Sequence, residues 1–267
     1  MGTFQEFSNL TGRQALITGA SGGLGKVFAD TLAELGANLI LTDRSLSGLQ
    51  ELSHDLHSKW GVRVDYFPCD LEIPQERADL ITTIRKSTQS LNVLVNTAAL
   101  VGDSNIEGWT EIFEMQSIHT WRRALEVNLI SIFDLCQGLL PLLKYSKGSS
   151  IVNIGSIYAT YAPDWKLYAN THLGNPAAYG ASKAGLVYLT KWLATTLAPD
   201  IRVNSISPGG IFRDQPQEFV DKYKSKTPLG RMATEDDLRG ALAYLATDLS
   251  KFVTGQNLCV DGGWGIS

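Results

Sequence analysis

Cysteine is scarce in this chain of 267 residues: only Cys69, Cys136 and Cys259 occur, far apart and within apolar stretches. An odd and widely spaced set makes a poor disulfide framework and lacks the spacing of metal ligands. We therefore expect three buried structural thiols in a reducing compartment. The four histidines form no cluster at metal-ligand spacing either, so no metal site is predicted.

Long apolar runs and basic runs are also missing. No uncharged apolar stretch reaches the length that spans a membrane, and segment 1–13 lacks the apolar core of a secretory signal. The net charge is -4, with no run rich in Lys or Arg, which argues against nucleic-acid and anionic-membrane partners. These absences predict a cytoplasmic, soluble protein.

Short β-rich runs alternate with longer helical patterns along the chain. We predict strands at 13–18, 38–42, 62–67, 92–95, 150–154, 202–206 and 257–260, and helices at 24–35, 45–58, 75–89, 117–143, 176–198 and 234–247. Strands separated by helix-length connections pair in parallel through right-handed crossovers. The predicted fold is therefore α/β: a single domain over residues 1–267, with a doubly wound, mostly parallel seven-stranded Rossmann-type sheet and helices on both faces.

A glycine-rich segment, residues 18–25 (TGASGGLG), joins the first predicted strand to the first predicted helix. Glycines let the backbone approach a pyrophosphate closely, and the N-terminus of the helix favours the anion. Glycine turns are common between strands and helices, but this one lies at the junction where dinucleotide-binding loops occur. The cofactor contacts predicted here are Gly19, Ser21, Gly22, Gly23, Leu24 and Gly25.

Asp43 ends the second predicted strand, 18 residues after Gly25 (43 − 25). An acidic side chain there can accept hydrogen bonds from both adenosine ribose hydroxyls and would repel a 2′-phosphate, so we predict NAD rather than NADP as the cofactor. Arg44 follows immediately and could instead meet a phosphate. Asp43 could also cap the helix predicted at 45–58, a role compatible with the first.

Tyr179 and Lys183 are four residues apart on one predicted helix, so their side chains share a face. A free tyrosine titrates near ~10, and a neighbouring ammonium together with a positive nicotinamide ring lowers that pKa. Ser156 follows the fifth strand and Asn96 ends the fourth, both at the carboxyl edge of the sheet. Asn128 lies among apolar neighbours inside a helix, where an amide needs a partner. Each residue alone is more often structural, but their convergence on one edge predicts a catalytic site.

These elements resemble those of the short-chain dehydrogenase/reductase family over nearly the whole chain. The matching elements are segment 18–25, Asp70 after the third strand, the turn at 96–99, Asn128, Ser156, the Tyr179 and Lys183 pair, Asn204 with Pro208 and Gly209, and segments 254–256 and 261–263. The resemblance implies an NAD(H)-dependent enzyme that interconverts a secondary alcohol and a carbonyl by hydride transfer.

The resemblance also implies a role for each residue. Tyr179 would be the general acid/base, Ser156 would polarise the substrate oxygen, and Lys183 would bind the nicotinamide ribose and depress the pKa of the tyrosine. Asn128 would hold a water that links Lys183 to solvent. Further implied cofactor contacts are Asp70 at the adenine amine, Leu71, Asn96 (which would also support the central strand), Ala98, and Pro208, Gly209 and Ile211 beside the nicotinamide. A homotetramer or homodimer through helices 117–143 and 176–198 is implied as well.

The sequence departs from the family pattern in three places. Ala99 replaces a glycine, and Arg213 replaces a threonine that often contacts the carboxamide, so Arg213 faces either an anionic substrate or solvent. Ser156 and Tyr179 are 23 residues apart (179 − 156), more than is usual. The extra segment, 157–178, contains Tyr158, Tyr161, Trp165, Tyr168, Asn170, Thr171, His172 and Asn175. We expect it to lie over the substrate site and to suit a sugar ring; alternatively, it packs on a neighbouring subunit.

Segments 155–158, 162–164 and 208–211 bear a weaker resemblance to bacterial oxidoreductases of surface-glycan or flagellin-sugar biosynthesis, which implies a sugar or sugar phosphate as substrate. Region 209–230 has the position of a substrate lid, and its Lys222, Lys224 and Lys226 either attract an anionic substrate or are simply solvated. Two alternatives stay open. A 3-oxoacyl-thioester reductase would usually need NADPH, against which Asp43 speaks; a non-catalytic NAD-binding or scaffold module would have lost the catalytic residues, which are present.

Overall fold

The computed structural model describes residues 2–101, 106–171 and 173–267. Within them the strands are β1 Gln14–Thr18, β2 Asn38–Asp43, β3 Val64–Pro68, β4 Val93–Asn96, β5 Ser149–Ile154, β6 Ile201–Pro208 and β7 Asn257–Val260. They form one seven-stranded sheet in the order β3-β2-β1-β4-β5-β6-β7, with every neighbouring pair parallel. The predicted doubly wound, Rossmann-type sheet is confirmed. The strand order reverses between β1 and β4, which is where such sheets open a ligand crevice.

Helices cover both faces of this sheet. They are α1 Phe4–Ser8, α2 Gly23–Glu34, α3 Leu46–Trp60, α4 Pro74–Ser87, α5 Ile118–Leu125, α6 Ser131–Gly138, α7 Leu140–Tyr145, α8 Trp165–Tyr168, α9 Ala177–Leu197, α10 Gln217–Lys226 and α11 Arg239–Ala246. Two large apolar clusters fill the space between sheet and helices. One joins α2, α3 and α11 to the sheet, and the other joins α4, α6, α7 and α9 to its opposite face. None of the described helices has the length and apolar character needed to cross a membrane.

The helix predicted at 117–143 is interrupted twice. A π-helical turn, Glu126–Ile130, separates α5 from α6, and a break at Leu139 separates α6 from α7. Pro141 lies in the first turn of α7, because a proline lacks the N–H that an uninterrupted helix would use at that point. Isolated π turns occur mostly at functional sites, and this one contains Asn128.

The thiols are not all buried. Cys69 and Cys136 lie in the interior, but Cys259 is exposed, so the expectation of three buried cysteines was wrong at this position. Cys259 lies on β7, an edge strand that pairs only with β6. No group of three His, Cys, Asp or Glu side chains in the described part of the chain is arranged to hold a metal ion.

Candidate active site

The glycine segment forms the floor of a groove at the carboxyl edge of β1. Gly19 has a left-handed backbone (φ 63°), and a Cβ at this position would lie 2.7 Å from Cα of Ala98. A Cβ on Gly25 would overlap the carbonyl oxygen of Gly19. The Thr18 hydroxyl accepts hydrogen bonds of 3.1 Å from the backbone N–H groups of Thr97 and Ala98. The loops after β1 and β4 are therefore held at close approach, with space for a ligand but not for side chains.

A cavity of about 360 Å³ lies along this groove. Its walls contain most of the predicted cofactor residues: Gly19, Ser21, Gly22, Gly23, Leu24, Gly25, Asp43, Arg44, Asp70, Leu71 and Ala98. The glycines and the N-terminus of α2 fit a dinucleotide diphosphate, because they combine close backbone approach with the positive end of a helix. Thr97, Leu100, Val101 and Val127 also line the cavity; they were missed, although Thr97, Leu100 and Val101 follow a strand at the carboxyl edge.

Asp43 ends β2 and lines the first cavity. Its carboxylate accepts hydrogen bonds from the Ser21 N–H (3.1 Å) and from the Ser45 N–H (3.3 Å). The alternative role as a helix cap was wrong, since Ser45 caps α3 by accepting from the Gly48 N–H at 3.1 Å. Arg44 is mostly exposed, with its guanidinium 3.9 Å from the Asp70 carboxylate. An acidic group thus lies in the wall of the groove at the end of β2, and its contact with an adenosine ribose stays a prediction.

The side chain of Asn96 does not line the groove. It is buried behind β4, where Nδ2 donates to Oδ1 of Asn153 at 2.8 Å, and Asn153 in turn donates to the Thr190 hydroxyl at 2.9 Å. Asn96 is not among the described residues that line either of the two cavities at this edge. The amide chain therefore ties β4, β5 and α9 together. This agrees with the implied support of the central strand, whereas the predicted cofactor contact at Asn96 finds no place in the lining of either cavity.

A second cavity, of about 310 Å³, continues from the first toward β5 and β6. It brings together the predicted residues Ser156, Tyr179, Lys183, Pro208, Gly209 and Ile211. Ser156 lies two residues after the end of β5, and Tyr179 and Lys183 lie in the first two turns of α9. Residues predicted from three separate parts of the sequence therefore face one space.

Tyr179 and Ser156 line the same cavity. Burial raises the pKa of Tyr179 above its ordinary value, while the nearby Ser156 hydroxyl and the positive charge of Arg213 act in the opposite direction. Lys183 is buried, its Nζ donates to the Ile154 carbonyl at 2.7 Å, and burial lowers its pKa to about 8. Nζ lies 5.9 Å from the centre of the Tyr179 ring. Depression of the tyrosine pKa by Lys183 stays a prediction for the cofactor-bound chain.

The buried amide of Asn128 is fully hydrogen-bonded within its apolar surroundings. Oδ1 accepts from the Leu100 N–H at 2.7 Å, and Nδ2 donates to the Leu100 carbonyl (3.2 Å) and to the Ser182 hydroxyl (3.0 Å). The side chain is completely buried within the π turn. It thereby fastens the loop after β4 to α9, one residue from Lys183. The water link implied by the resemblance stays a prediction.

The aromatic segment 157–178 lies partly over the second cavity. Tyr158 and Tyr168 join their hydroxyls at 2.6 Å, and Asn175 donates to the Tyr168 hydroxyl at 3.1 Å; all three line the cavity. Tyr161 instead packs edge-on against Trp264, with ring centres 5.9 Å apart, and Trp165 is exposed. Asn170 and Thr171 make their hydrogen bonds to Glu218 and the Tyr168 carbonyl, away from the cavity. His172 lies outside the described residues.

The predicted lid, 209–230, contains α10 and is docked on the aromatic segment. The Tyr223 hydroxyl accepts from the Gly210 N–H at 2.5 Å. Lys222 donates to the Ala169 carbonyl at 2.8 Å, and Lys226 pairs with Asp164 at 3.0 Å. Lys222, Lys224 and Lys226 are not among the described residues that line the second cavity. Two of the three lysines therefore fasten the lid to the segment instead of facing the ligand space.

A family model and a curated relative both match this chain over almost its whole length. A family model described as Enoyl-(Acyl carrier protein) reductase matches residues 19–265. The 3-oxoacyl-(acyl-carrier-protein) reductase FabG of Aquifex aeolicus is 29% identical, covering 95% of this chain and 98% of its own length.

Solved structures agree over almost the full length. A gluconate 5-dehydrogenase from Burkholderia cenocepacia, in complex with NADP and tartrate, superposes with a TM-score of 0.86 at 27% identity, covering 99% of this chain and 100% of its own. A short-chain dehydrogenase from Leptospira borgpetersenii with bound NAD⁺ has a TM-score of 0.84 at 32% identity, covering 99% of this chain and 96% of its own. Similar folds thus carry both nicotinamide cofactors.

The packing of the glycine segment can be tested by Gly25→Ala. The new methyl group would collide with the Gly19 carbonyl oxygen, and we expect the free energy of unfolding to fall by about 1–3 kcal/mol, as for other overpacked sites. Gly240→Ala is the matched control, because a Cβ there meets nothing within 4 Å in α11, and it should raise stability by up to about 1 kcal/mol. Urea unfolding measures both; equal stability of Gly25→Ala and the unmodified chain would contradict the packing.

Proposed function

This chain belongs to the short-chain dehydrogenase/reductase family, and we propose that within it the chain is an NAD(H)-dependent oxidoreductase that interconverts a secondary alcohol and a carbonyl, with Tyr179 as general acid/base. The observation that carries the proposal is that Ser156, Tyr179 and the buried Lys183 line one cavity, which is continuous with the glycine groove. A bound nicotinamide supplies or accepts the hydride in such enzymes.

Ser156 is arranged to donate a hydrogen bond. Its oxygen already accepts from the Tyr158 N–H at 3.2 Å, which leaves the hydroxyl hydrogen for the Tyr179 oxygen or for a substrate oxygen. The raised pKa of Tyr179 keeps its hydroxyl protonated at neutral pH, the form that gives a proton to a carbonyl oxygen during reduction. In the reverse direction the tyrosine must lose its proton. The Lys183 ammonium and the positive charge of an oxidised nicotinamide would favour that ionised form.

Asp43 is the basis for proposing NAD. Its carboxylate, held by the Ser21 and Ser45 N–H groups at the end of β2, would repel the 2′-phosphate that distinguishes NADP. Arg44 is the opposing consideration, since its guanidinium is exposed beside the same site. The neighbouring carboxylates of Asp70 and Glu72 also line the groove, and their negative charge likewise favours NAD over NADP.

A sugar, sugar acid or sugar phosphate is the proposed substrate class. The second cavity combines aromatic surface from Phe219 and Tyr223 with the linked polar groups of Tyr158, Tyr168 and Asn175. Aromatic faces stack on the C–H face of a sugar ring, and hydroxyl and amide groups bind its hydroxyls. The similar gluconate 5-dehydrogenase supports the same class.

A 3-oxoacyl-thioester reductase is the second candidate. It is favoured by the Aquifex relative and by the description of the family model. It would require the cavity to admit an acyl chain and would usually require NADPH. The polar lining from Tyr158, Tyr168 and Asn175 and the acidic Asp43 both count against it.

Self-association is a further part of the proposal. The outer faces of α6 and α9, with the π turn between α5 and α6, expose apolar and aromatic side chains: Ile130, Phe133, Tyr188 and Trp192. Exposed apolar side chains on packed neighbouring helices are typical of subunit interfaces. They support a homotetramer or a homodimer formed through these helices.

Turnover should depend on the Tyr179 hydroxyl. The reduction of NAD⁺ can be followed by the absorbance of NADH with a panel of sugars, sugar acids, sugar phosphates, secondary alcohols and hydroxyacyl thioesters. We expect sugars or their derivatives to be the best substrates. Tyr179→Phe should lower turnover by about 10²–10⁴-fold, the usual contribution of a general acid/base group, while NADH still binds. Tyr188→Phe, on the exposed face of the same helix, is the control. Retained activity in Tyr179→Phe would contradict the mechanism, and a preference for thioesters would favour the second candidate.

Cofactor choice should depend on the Asp43 carboxylate. Asp43→Ser should reduce the ratio of kcat/KM for NAD⁺ over NADP⁺ by about tenfold or more, because it removes a charge that repels the 2′-phosphate. Asp55→Ser removes an equal charge from an exposed site on α3 and should leave the ratio unchanged. Unaltered discrimination in Asp43→Ser would assign the preference to another residue.

A further inference from the structure

Arg213 occupies the junction of the two cavities. The residues that line both are Leu24, Thr97, Ala99, Val101 and Arg213. Among these described residues Arg213 alone is charged. The first cavity contains the acidic Asp43 and the second contains Tyr179, so the arginine stands between the Asp43 end and the Tyr179 end of the groove.

The guanidinium is held in place over the glycine segment. Nε donates to Oε1 of Glu235 at 3.1 Å. A Cβ built on Gly23 would lie 3.1 Å from Nη2 of Arg213 and 2.8 Å from Oε1 of Glu235. The ion pair therefore covers the first residue of α2, in the space that any side chain at this position would need.

The backbone around Arg213 is fixed as well. Its N–H donates to the side-chain oxygen of Gln215 at 2.8 Å, and the Phe212 N–H donates to the Ala233 carbonyl at 2.8 Å. Ala233 lies two residues before Glu235, so one backbone contact positions both members of the ion pair. The arginine is consequently a built feature of the groove and not a freely moving surface side chain.

The remaining N–H groups of the guanidinium are available to an anion. In the hydrogen bonds of the described residues, only Nε of the Arg213 side chain is used, and the side chain is half exposed. Its Nη2 lies over Gly23, where α2 begins and the positive end of the helix favours negative charge. Arg44 is the other cation that lines the first cavity among the described residues, and it lies at the Asp43 end.

We propose that Arg213 binds the diphosphate of the nicotinamide dinucleotide from the side opposite the glycine segment, with Glu235 as the residue that positions its guanidinium. The diphosphate joins the two nucleosides, so it must pass the junction at which Arg213 stands. Arginine binds phosphate oxygens through several N–H groups at once. This inference rests on the proposed use of a nicotinamide dinucleotide.

Binding of cofactor fragments distinguishes a contact with the diphosphate from a contact with the substrate. Calorimetric titrations with NADH, ADP-ribose and adenosine would be made on the unmodified chain, Arg213→Ala, Arg213→Lys and Glu235→Gln. Arg213→Ala should weaken NADH and ADP-ribose, which carry the diphosphate, by about tenfold or more, and should leave adenosine unchanged. Arg213→Lys should restore part of the loss, and Glu235→Gln should show a smaller one. Arg63→Ala, which removes an exposed arginine paired with Asp65 on β3, is the control and should bind all three ligands normally.

Equal affinity of Arg213→Ala and the unmodified chain for ADP-ribose would overturn the inference. If the only change were then a higher KM for an anionic substrate, the arginine would belong to substrate binding. An equal loss for adenosine would also overturn it, since that loss would come from a disturbed groove. Failure of the unmodified chain to bind either NADH or ADP-ribose would instead overturn the proposed function, and this inference with it.

Discussion

The hydrogen bond from the buried Lys183 ammonium to the Ile154 carbonyl, 2.7 Å long, sets the register of the reacting groups. Lys183 lies on α9 and Ile154 ends β5, so the bond fixes the helix against the strand. Tyr179, one turn before Lys183, and Ser156, two residues after Ile154, are thereby brought to the same cavity. No ion pair of Lys183 with a carboxylate occurs in the described residues. Burial without such a partner disfavours the charged ammonium and lowers the pKa of Lys183 to about 8. Polar ligand groups near Nζ would stabilise the ammonium.

The ligand space around this pair is enclosed by parts of the chain that are distant in sequence. The aromatic segment 157–178 and the lid helix α10 are fastened to each other by the Lys226–Asp164 pair and by Lys222 at the Ala169 carbonyl. Tyr223 ties the same helix to the turn after β6 through Gly210. The π turn at Asn128 supports the loop after β4. Each wall of the cavity is thus attached to a strand end or to a helix that the sheet already holds.

The sequence alone predicted the sheet, and most of the site residues that it predicted line the two cavities, because strand runs, glycine spacing and the Tyr179–Lys183 interval are local patterns. It did not predict the π turn within the helix at 117–143, since no local pattern shows that Asn128 must reach both Leu100 and Ser182. The pairing of Arg213 with Glu235 was likewise out of reach, because the two residues meet only through the contact at Ala233. For Asn96 the expected support of the central strand agrees with its bond to Asn153, but the predicted cofactor contact does not, because the direction of a side chain at a strand end is not a local property of the sequence.

The central claim is that Tyr179 exchanges the proton and that its ionisation is controlled by what binds beside it. Phenolate absorbance in the unmodified chain minus that in Tyr179→Phe, recorded against pH with and without NAD⁺, tests this most directly. Because burial raises the pKa of Tyr179 in the cofactor-free chain, the difference signal should appear only above the ordinary tyrosine value of ~10, and NAD⁺ should move it to lower pH through its positive ring. Ionisation below that value without NAD⁺, or no movement when NAD⁺ binds, would contradict the account.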